Sequence, residues 1–145
     1  MAVTDDQVAA LRALLVDDMD LHRQLFSALD RAEARTGYPA LVTAAFGEAI
    51  ERRFGANRDP GEIVRFVADV RARSDQLSSE IDPDVAERTI LSALGKGSVQ
   101  GLDRDAVTRA KLVLLTGVVA DERLDGARLD AFLASARKLA DQLIG

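Results

Sequence analysis

The stretch GARLDAFLASARKLADQLI, residues 126–144, has the clearest structural signal in this chain of 145 residues. Its apolar residues recur at intervals of three and four, which places them on one arc of an α-helix, and charged residues occupy the other arc. The arc comprises Leu129, Phe132, Leu133, Ala136, Leu139, Ala140 and Leu143. The pattern therefore predicts an amphipathic helix that ends near residue 144.

The stretch before it, residues 104–120, is apolar nearly all round. Its large apolar residues are Leu112, Val113, Leu114, Leu115, Val118 and Val119. A helix that is apolar on most sides belongs in the interior, so we expect a central apolar helix here. Gly117 is expected to let a neighbouring helix approach closely.

Helical stripes continue upstream, and no stretch alternates in the way a strand requires. They cover residues 41–50, 59–78 and 85–94, and a longer one begins near residue 5. Together these patterns predict the all-α fold class, with a compact bundle of about six amphipathic helices. At this length we expect a single helical domain spanning residues 1–145.

Capping residues mark the predicted helix starts. The candidates, whose side-chain oxygens can accept from first-turn amides, are Thr4, Asp59, Asp82, Asp103 and Asp125. Thr4 with Gln7, and Asp59 with Glu62, also have the spacing of a capping box.

The prolines fit the same scheme, because a first-turn residue needs no amide hydrogen. We expect all three to begin helices rather than break them, namely Pro39, Pro60 and Pro83. Gly95 is predicted to end a helix in the left-handed conformation.

Composition limits the function. The absence of cysteine excludes disulfides, thiolate zinc sites and cysteine nucleophiles. The net charge of −5 argues against tight nucleic-acid binding, which depends on basic side chains. Arginine outnumbers lysine sixteen to three, as is typical of a GC-rich bacterial genome, so a bacterial source is expected.

Membrane insertion is not expected. The longest apolar run, residues 112–120, is far shorter than the roughly 20 residues of a membrane span. The first residues, MAVTDD, lack the pattern of a signal peptide. We therefore expect a cytoplasmic protein.

Asp18 and His22 are the only candidates for a chemical site. If residues 5–35 form one helix, these two polar residues interrupt its apolar stripe at a spacing of four, where their side chains can touch. A carboxylate beside an imidazole is half of a metal site or an acid-base pair. Two alternatives remain open: the helix breaks near Asp17 and Asp18 so that Asp18 caps a second helix, or the pair satisfies itself inside a bundle.

The same stripe is a candidate interaction surface. Its apolar members are Val8, Leu11, Leu15, Leu25 and Leu29. The helical segment 5–36 could project and pair with its counterpart in a second copy, as coiled-coil helices do.

Two further patterns are weak. The glycine-rich residues 95–101 do not match a phosphate-binding loop, which requires glycine where this chain has Ile90, so a plain linker is expected. Six arginines flank the turn at residues 55–58, and this arrangement permits a helix-turn-helix interpretation. Ile63, Phe66 and Val67 dominate its second helix, which argues against DNA binding.

The leading hypothesis is therefore a non-enzymatic helical protein. It would act through a protein partner or as a homo-oligomer, without a cofactor. No nucleophile motif or convincing catalytic constellation is present, and amphipathic helices are abundant. The alternative is a small metal-assisted or acid-base enzyme centred on Asp18 and His22, and a third hypothesis is the DNA binder.

Overall fold

The computed structural model describes residues 2–55 and 59–145, and every regular element within them is a helix. These helices are α1 (Asp5–Leu15), α2 (Met19–Ser27), α3 (Arg31–Phe54), α4 (Pro60–Arg71), α5 (Asp75–Glu80), α6 (Pro83–Ala93), α7 (Arg104–Asp121) and α8 (Gly126–Ile144). The predicted all-α fold class is confirmed. The described residues form eight helices rather than about six.

The difference in number comes from two stretches that each divide. Residues 5–36 contain α1, α2 and the beginning of α3, and residues 59–78 contain α4 and the beginning of α5. Polar side chains start the extra helices, because Asp18 accepts from the Leu21 amide and Ser74 accepts from the Leu77 amide. Local capping thus overrides the longer apolar stripes.

The described residues group into two compact units. Unit 1 comprises residues 2–45 and 119–145, and unit 2 comprises residues 46–55 and 59–118. The single domain over residues 1–145 stays a prediction.

In unit 1, the chain start is tied to α8. The Val3 amide donates to Asp141 Oδ1 at 2.8 Å, and Arg137 Nη2 donates to the Val3 carbonyl at 2.7 Å. Arg12 of α1 pairs with Asp130 of α8 at 2.7 Å. These contacts lie beside apolar side chains that are almost fully buried, among them Leu11, Leu41, Leu129 and Leu133.

In unit 2, α7 and α4 approach closely at Gly117. A Cβ atom built on Gly117 would lie 3.1 Å from Val70 Cγ2 and 3.6 Å from Phe66 Cζ. The expected role of Gly117 is confirmed. Phe66 also meets the ring of Phe54 edge to face, with the ring centroids 5.6 Å apart.

Most of the predicted caps are present. Thr4 and Gln7 form the complete capping box, and Asp59, Asp82 and Asp103 accept from first-turn amides. Asp125 occupies the predicted N-cap position of α8, but the expected side-chain cap hydrogen bond is absent. Gly126, the first residue of α8, has a positive φ of 49°, so the backbone next to Asp125 differs from that of a regular first turn.

Pro39 does not begin a helix. It lies inside α3, whereas Pro60 and Pro83 occupy first-turn positions as predicted. The helix starts earlier because Asp30 Oδ1 accepts from the Glu33 amide at 3.0 Å. Pro39 therefore removes one hydrogen bond from the helix interior, a loss that the surrounding contacts must offset.

Gly95 ends α6 as predicted. It has φ 75°, its amide donates to the Ser92 carbonyl, and the Lys96 amide donates to the Leu91 carbonyl. This pair of bonds is the Schellman motif. The same pair of bonds ends α7 around Arg123, although its φ of 52° is unfavourable for a residue with a side chain.

Gly37 lets α3 pack against the capping box of α1. A Cβ atom on Gly37 would lie 2.4 Å from Gln7 Oε1 and 2.9 Å from Gln7 Nε2. Gln7 is buried, and its Oε1 accepts from the Thr4 amide. Any side chain at position 37 must displace an amide that already holds the start of α1.

We predict opposite effects of alanine at two glycines of α3. Gly37→Ala should lower the free energy of unfolding by about 1 kcal/mol, because overpacking exceeds the gain in helix propensity. Gly47→Ala, where nothing lies within 4 Å of the new Cβ, should raise it by a similar amount. Urea unfolding measures both, and equal stability of the two variants would show that Gln7 moves aside without cost.

Candidate interaction surface

A left-handed turn at Asp17 separates α1 from α2. Asp17 has φ 62°, its amide donates to the Leu14 carbonyl, and the Asp18 amide donates to the Ala13 carbonyl at 2.9 Å. The Asp18 carboxylate then accepts from the Leu21 amide at 3.2 Å. One aspartate follows the end of α1, and the next starts α2.

The single helix over residues 5–35 is therefore wrong, and the open alternative in which Asp18 caps a second helix is confirmed. The physical reason is local. Aspartate tolerates the left-handed region better than most residues, and it is among the best N-cap residues. Two in succession supply a complete helix break.

Asp18 and His22 take separate side-chain partners. His22 Nδ1 lies 2.7 Å from the Ala10 carbonyl, to which its N–H donates, and the two residues are joined by the backbone bond from the His22 amide to the Asp18 carbonyl. Within residues 2–55 and 59–145, no group of three potential ligand side chains could hold a metal ion. The enzyme hypothesis stays untested.

The apolar residues of the predicted stripe lie mainly inside unit 1. Leu11, Leu15 and Leu29 are buried, and Val8 and Leu25 are half-buried. While the helices keep this arrangement, the three buried leucines have no surface to offer a partner. Their burial places α1 and the segment after α2 against the rest of unit 1.

The exposed apolar side chains lie beside that stripe. Val16 is 43% exposed, Met19 39%, Leu21 41% and Phe26 48%. We call these four residues the α2 surface. None of the nine residues of α2 is buried, and only His22 and Leu25 are half-buried.

Helix geometry divides the α2 surface into two flanks. Met19 and Phe26 are seven residues apart and lie on the same side of α2, whereas Leu21 lies on the opposite side of the line through His22 and Leu25. This line is the half-buried edge of the helix. α2 therefore rests on a narrow edge and presents apolar side chains on both sides of it.

Phe26 continues this surface to α3. Its ring lies 5.6 Å from that of His22, and it meets the Tyr38 ring edge to face at 5.2 Å. Burial raises the pKa of Tyr38 to about 12, because the charged phenolate is disfavoured away from water. Phe26 therefore contacts Tyr38 and remains 48% exposed to solvent.

The glycine-rich loop is held by an arginine. Arg88 Nη2 donates to the carbonyls of Ser98 and Gln100, at 3.1 and 3.2 Å. Gly95 and Gly101 both have positive φ, which fits tight turns at the two ends of the segment. The segment connects two helices, and its carbonyls at Ser98 and Gln100 already accept hydrogen bonds from Arg88.

The arginines near the predicted helix-turn-helix make local contacts. Arg65 pairs with Glu62 at 2.6 Å, Arg73 pairs with Asp69 at 2.8 Å, and Arg71 donates to the carbonyl oxygen of Ile81 at 2.7 Å. Of the turn at residues 55–58, residues 56–58, including the candidate Arg58, lie outside the described residues. The apolar side of α4 is buried, at Ile63, Phe66, Val67 and Val70.

Comparisons with known proteins add no assignment. The chain matches no protein-family model, no curated protein and no solved structure. Among the helices of residues 2–55 and 59–145, none has the length and apolar character needed to cross a membrane.

Removing the cap at Asp18 tests the break between α1 and α2. Asp18→Ala should lower the free energy of unfolding by about 1 kcal/mol, because the first-turn amide of Leu21 loses its acceptor. Asp18→Asn is the matched control and should change it by only a few tenths, since asparagine caps equally well. Chemical unfolding followed by circular dichroism measures both, and an unchanged Asp18→Ala variant would contradict the capping role.

Tyr38 reports directly on the position of Phe26, because the chain has one tyrosine and no tryptophan. Tyrosinate absorbance should titrate near pH 12 in the folded protein, and Phe26→Ala should lower this pKa toward 10 by exposing the phenol. The folded pKa is the higher one, so this contribution to stability is complete below pH 10 and is lost as the pH rises toward 12.

Leu21→Gln is the control for this titration, because Leu21 lies on the other flank of α2. Its tyrosinate midpoint should stay near that of the wild type. Circular dichroism at each pH identifies the range in which the protein is folded. A Phe26→Ala midpoint equal to that of the wild type would show that Phe26 does not cover Tyr38.

Proposed function

We propose that this protein is a non-enzymatic helical protein that acts by binding another protein, either a different chain or a second copy of itself, through the α2 surface. The observation that carries the proposal is the exposure of four large apolar side chains within residues 16–26. It acts in the bacterial cytoplasm, the setting expected from its sequence.

Physical chemistry supports a contact role for such a surface. Apolar area left in water forgoes about 25 cal/mol per Å² that burial would provide. Scattered exposed leucines are normal, but a cluster on one short helix is typical of interaction sites. Met19, Leu21 and Phe26 are exposed on α2 and Val16 just before it, whereas α4 exposes Val64 and α8 exposes Leu139 and Leu143.

The stripe predicted from the sequence has a supporting role in this proposal. Leu11, Leu15 and Leu29 are buried within unit 1 on either side of α2 in the chain. Their burial anchors the chain before and after α2. The interaction predicted for residues 5–36 is therefore assigned in this proposal to the α2 surface, which lies between Leu15 and Leu29 in the chain.

Site-specific crosslinking tests the proposal in living cells. A photo-crosslinking amino acid is placed at position 19, and in a matched control at position 64, which is 48% exposed. We expect a specific adduct from position 19 that is absent from position 64. The captured protein is then purified and titrated with the wild-type chain.

The double variant Met19→Gln with Leu21→Gln should weaken that binding at least tenfold, because both flanks lose apolar contact area. Val64→Gln should leave it within twofold. If the captured protein is the chain itself, sedimentation should show a dimer that the double variant abolishes. A monomeric chain that yields the same adducts at positions 19 and 64 would contradict the proposal.

A further inference from the structure

The charges next to the α2 surface narrow the class of partner. Asp17, Asp18 and Asp20 are interleaved with Val16, Met19 and Leu21, so the apolar residues at this end of the surface have an acidic border. Over residues 16–27 the only basic side chain is Arg23, which pairs with Asp20. In the described part of the chain, neither Asp17 nor Asp18 takes part in an ion pair with a basic side chain.

This border opposes a second copy as the occupant. In a symmetric dimer the same surface patch faces itself. A two-fold axis near Met19 or Leu21 would bring two sets of aspartates together at the centre of the contact. Like charges in such a position raise the free energy of association, so the arrangement favours a partner of opposite charge.

The shape of the surface favours a helix. Met19 and Phe26 are separated by two turns along one flank of α2, which matches the spacing at which a second helix presents its own apolar side chains. The Tyr38 ring next to Phe26 extends the contact toward α3. On this flank Arg23 lies between Met19 and Phe26 and pairs with Asp20, and the aspartates at the start of α2 are next to Met19 in the chain.

We propose that the α2 surface binds a basic amphipathic helix of another protein, with apolar side chains on Met19 and Phe26 and lysine or arginine side chains near Asp17 and Asp18. This inference rests on the proposed function and specifies its partner.

Three synthetic peptides of about 18 residues serve as the probes, a length at which a helix can form on binding. The basic peptide has a leucine face and a lysine face, the acidic peptide replaces each lysine by glutamate, and the scrambled peptide has the basic composition without an apolar face. Each is titrated into the full-length, isotope-labelled protein, and amide chemical shifts are followed. We expect the basic peptide to bind at least tenfold more tightly than the other two and to shift residues 16–27.

Protein variants separate apolar contact from charge. Met19→Gln should weaken the basic peptide about tenfold, whereas Val64→Gln should have no effect. Asp17→Asn with Asp18→Asn removes two charges but keeps the turn and the cap, because asparagine suits both positions. Each charge should be worth about a two- to fivefold change in affinity at low salt and less at high salt.

Several results would overturn the inference: equal binding of the basic and acidic peptides, equal binding of the scrambled peptide, shifts confined to residues outside α2 and its neighbours, or no binding. Equal binding of the basic and acidic peptides at α2 would remove the charge preference but leave the proposed function standing. The proposed function is tested by the crosslinking and sedimentation experiments instead. Its failure can therefore be distinguished from a failure of the inference about the basic helix.

Discussion

The left-handed turn at Asp17 is the constraint on which the surface of unit 1 depends. If α1 continued for two more turns, its apolar stripe would extend in a straight line and α2 would not exist as a separate helix. The turn instead redirects the chain within three residues, and the Asp18 cap commits it to a new helix axis. Leu11 and Leu15 stay inside unit 1, whereas Val16 and Met19 emerge on the outside.

The exposure of α2 follows from how little of it is anchored. His22 and Leu25 form its half-buried edge, and the His22 ring donates to the Ala10 carbonyl of α1. A histidine is well suited to this position, because its ring contacts Phe26 while one nitrogen satisfies a backbone oxygen. These two residues leave the flanking apolar side chains partly exposed, and Phe26 packs against Tyr38.

The sequence predicts the helical class, four of the five proposed cap hydrogen bonds and the end of α6 well, because these depend on residues within one or two turns of each other. It predicts helix number less well. The apolar periodicity is continuous over residues 5–35. Only the left-handed conformation of Asp17 shows that the helix itself is interrupted. Asp30 with Glu33, and Ser74 ahead of Leu77, are local signals that could have located two further helix starts.

The candidate surface was less accessible to prediction, because periodicity indicates which side chains share a face but not whether that face is covered. Leu139 and Leu143 continue the apolar arc of α8 and yet are exposed, just as Met19 and Phe26 are on α2. Conversely, Gln7 is polar and buried, because Gly37 leaves room for its amide beside α3. Whether a face is covered depends on tertiary packing. The sequence therefore predicts the apolar stripe but not the exposed side chains beside it.

The hydrogen bonds from Arg88 to the loop after α6 have a consequence for which residues of the loop can be substituted. Its guanidinium holds the carbonyl oxygens of Ser98 and Gln100, and every residue type at those positions provides the same carbonyl. Substitution at Gln100 therefore leaves these contacts in place, whereas Ser98 also accepts from the Gln100 amide through its hydroxyl and Gly101 has a positive φ that favours glycine. The constraint falls on Arg88, because both hydrogen bonds to the loop come from its Nη2 atom.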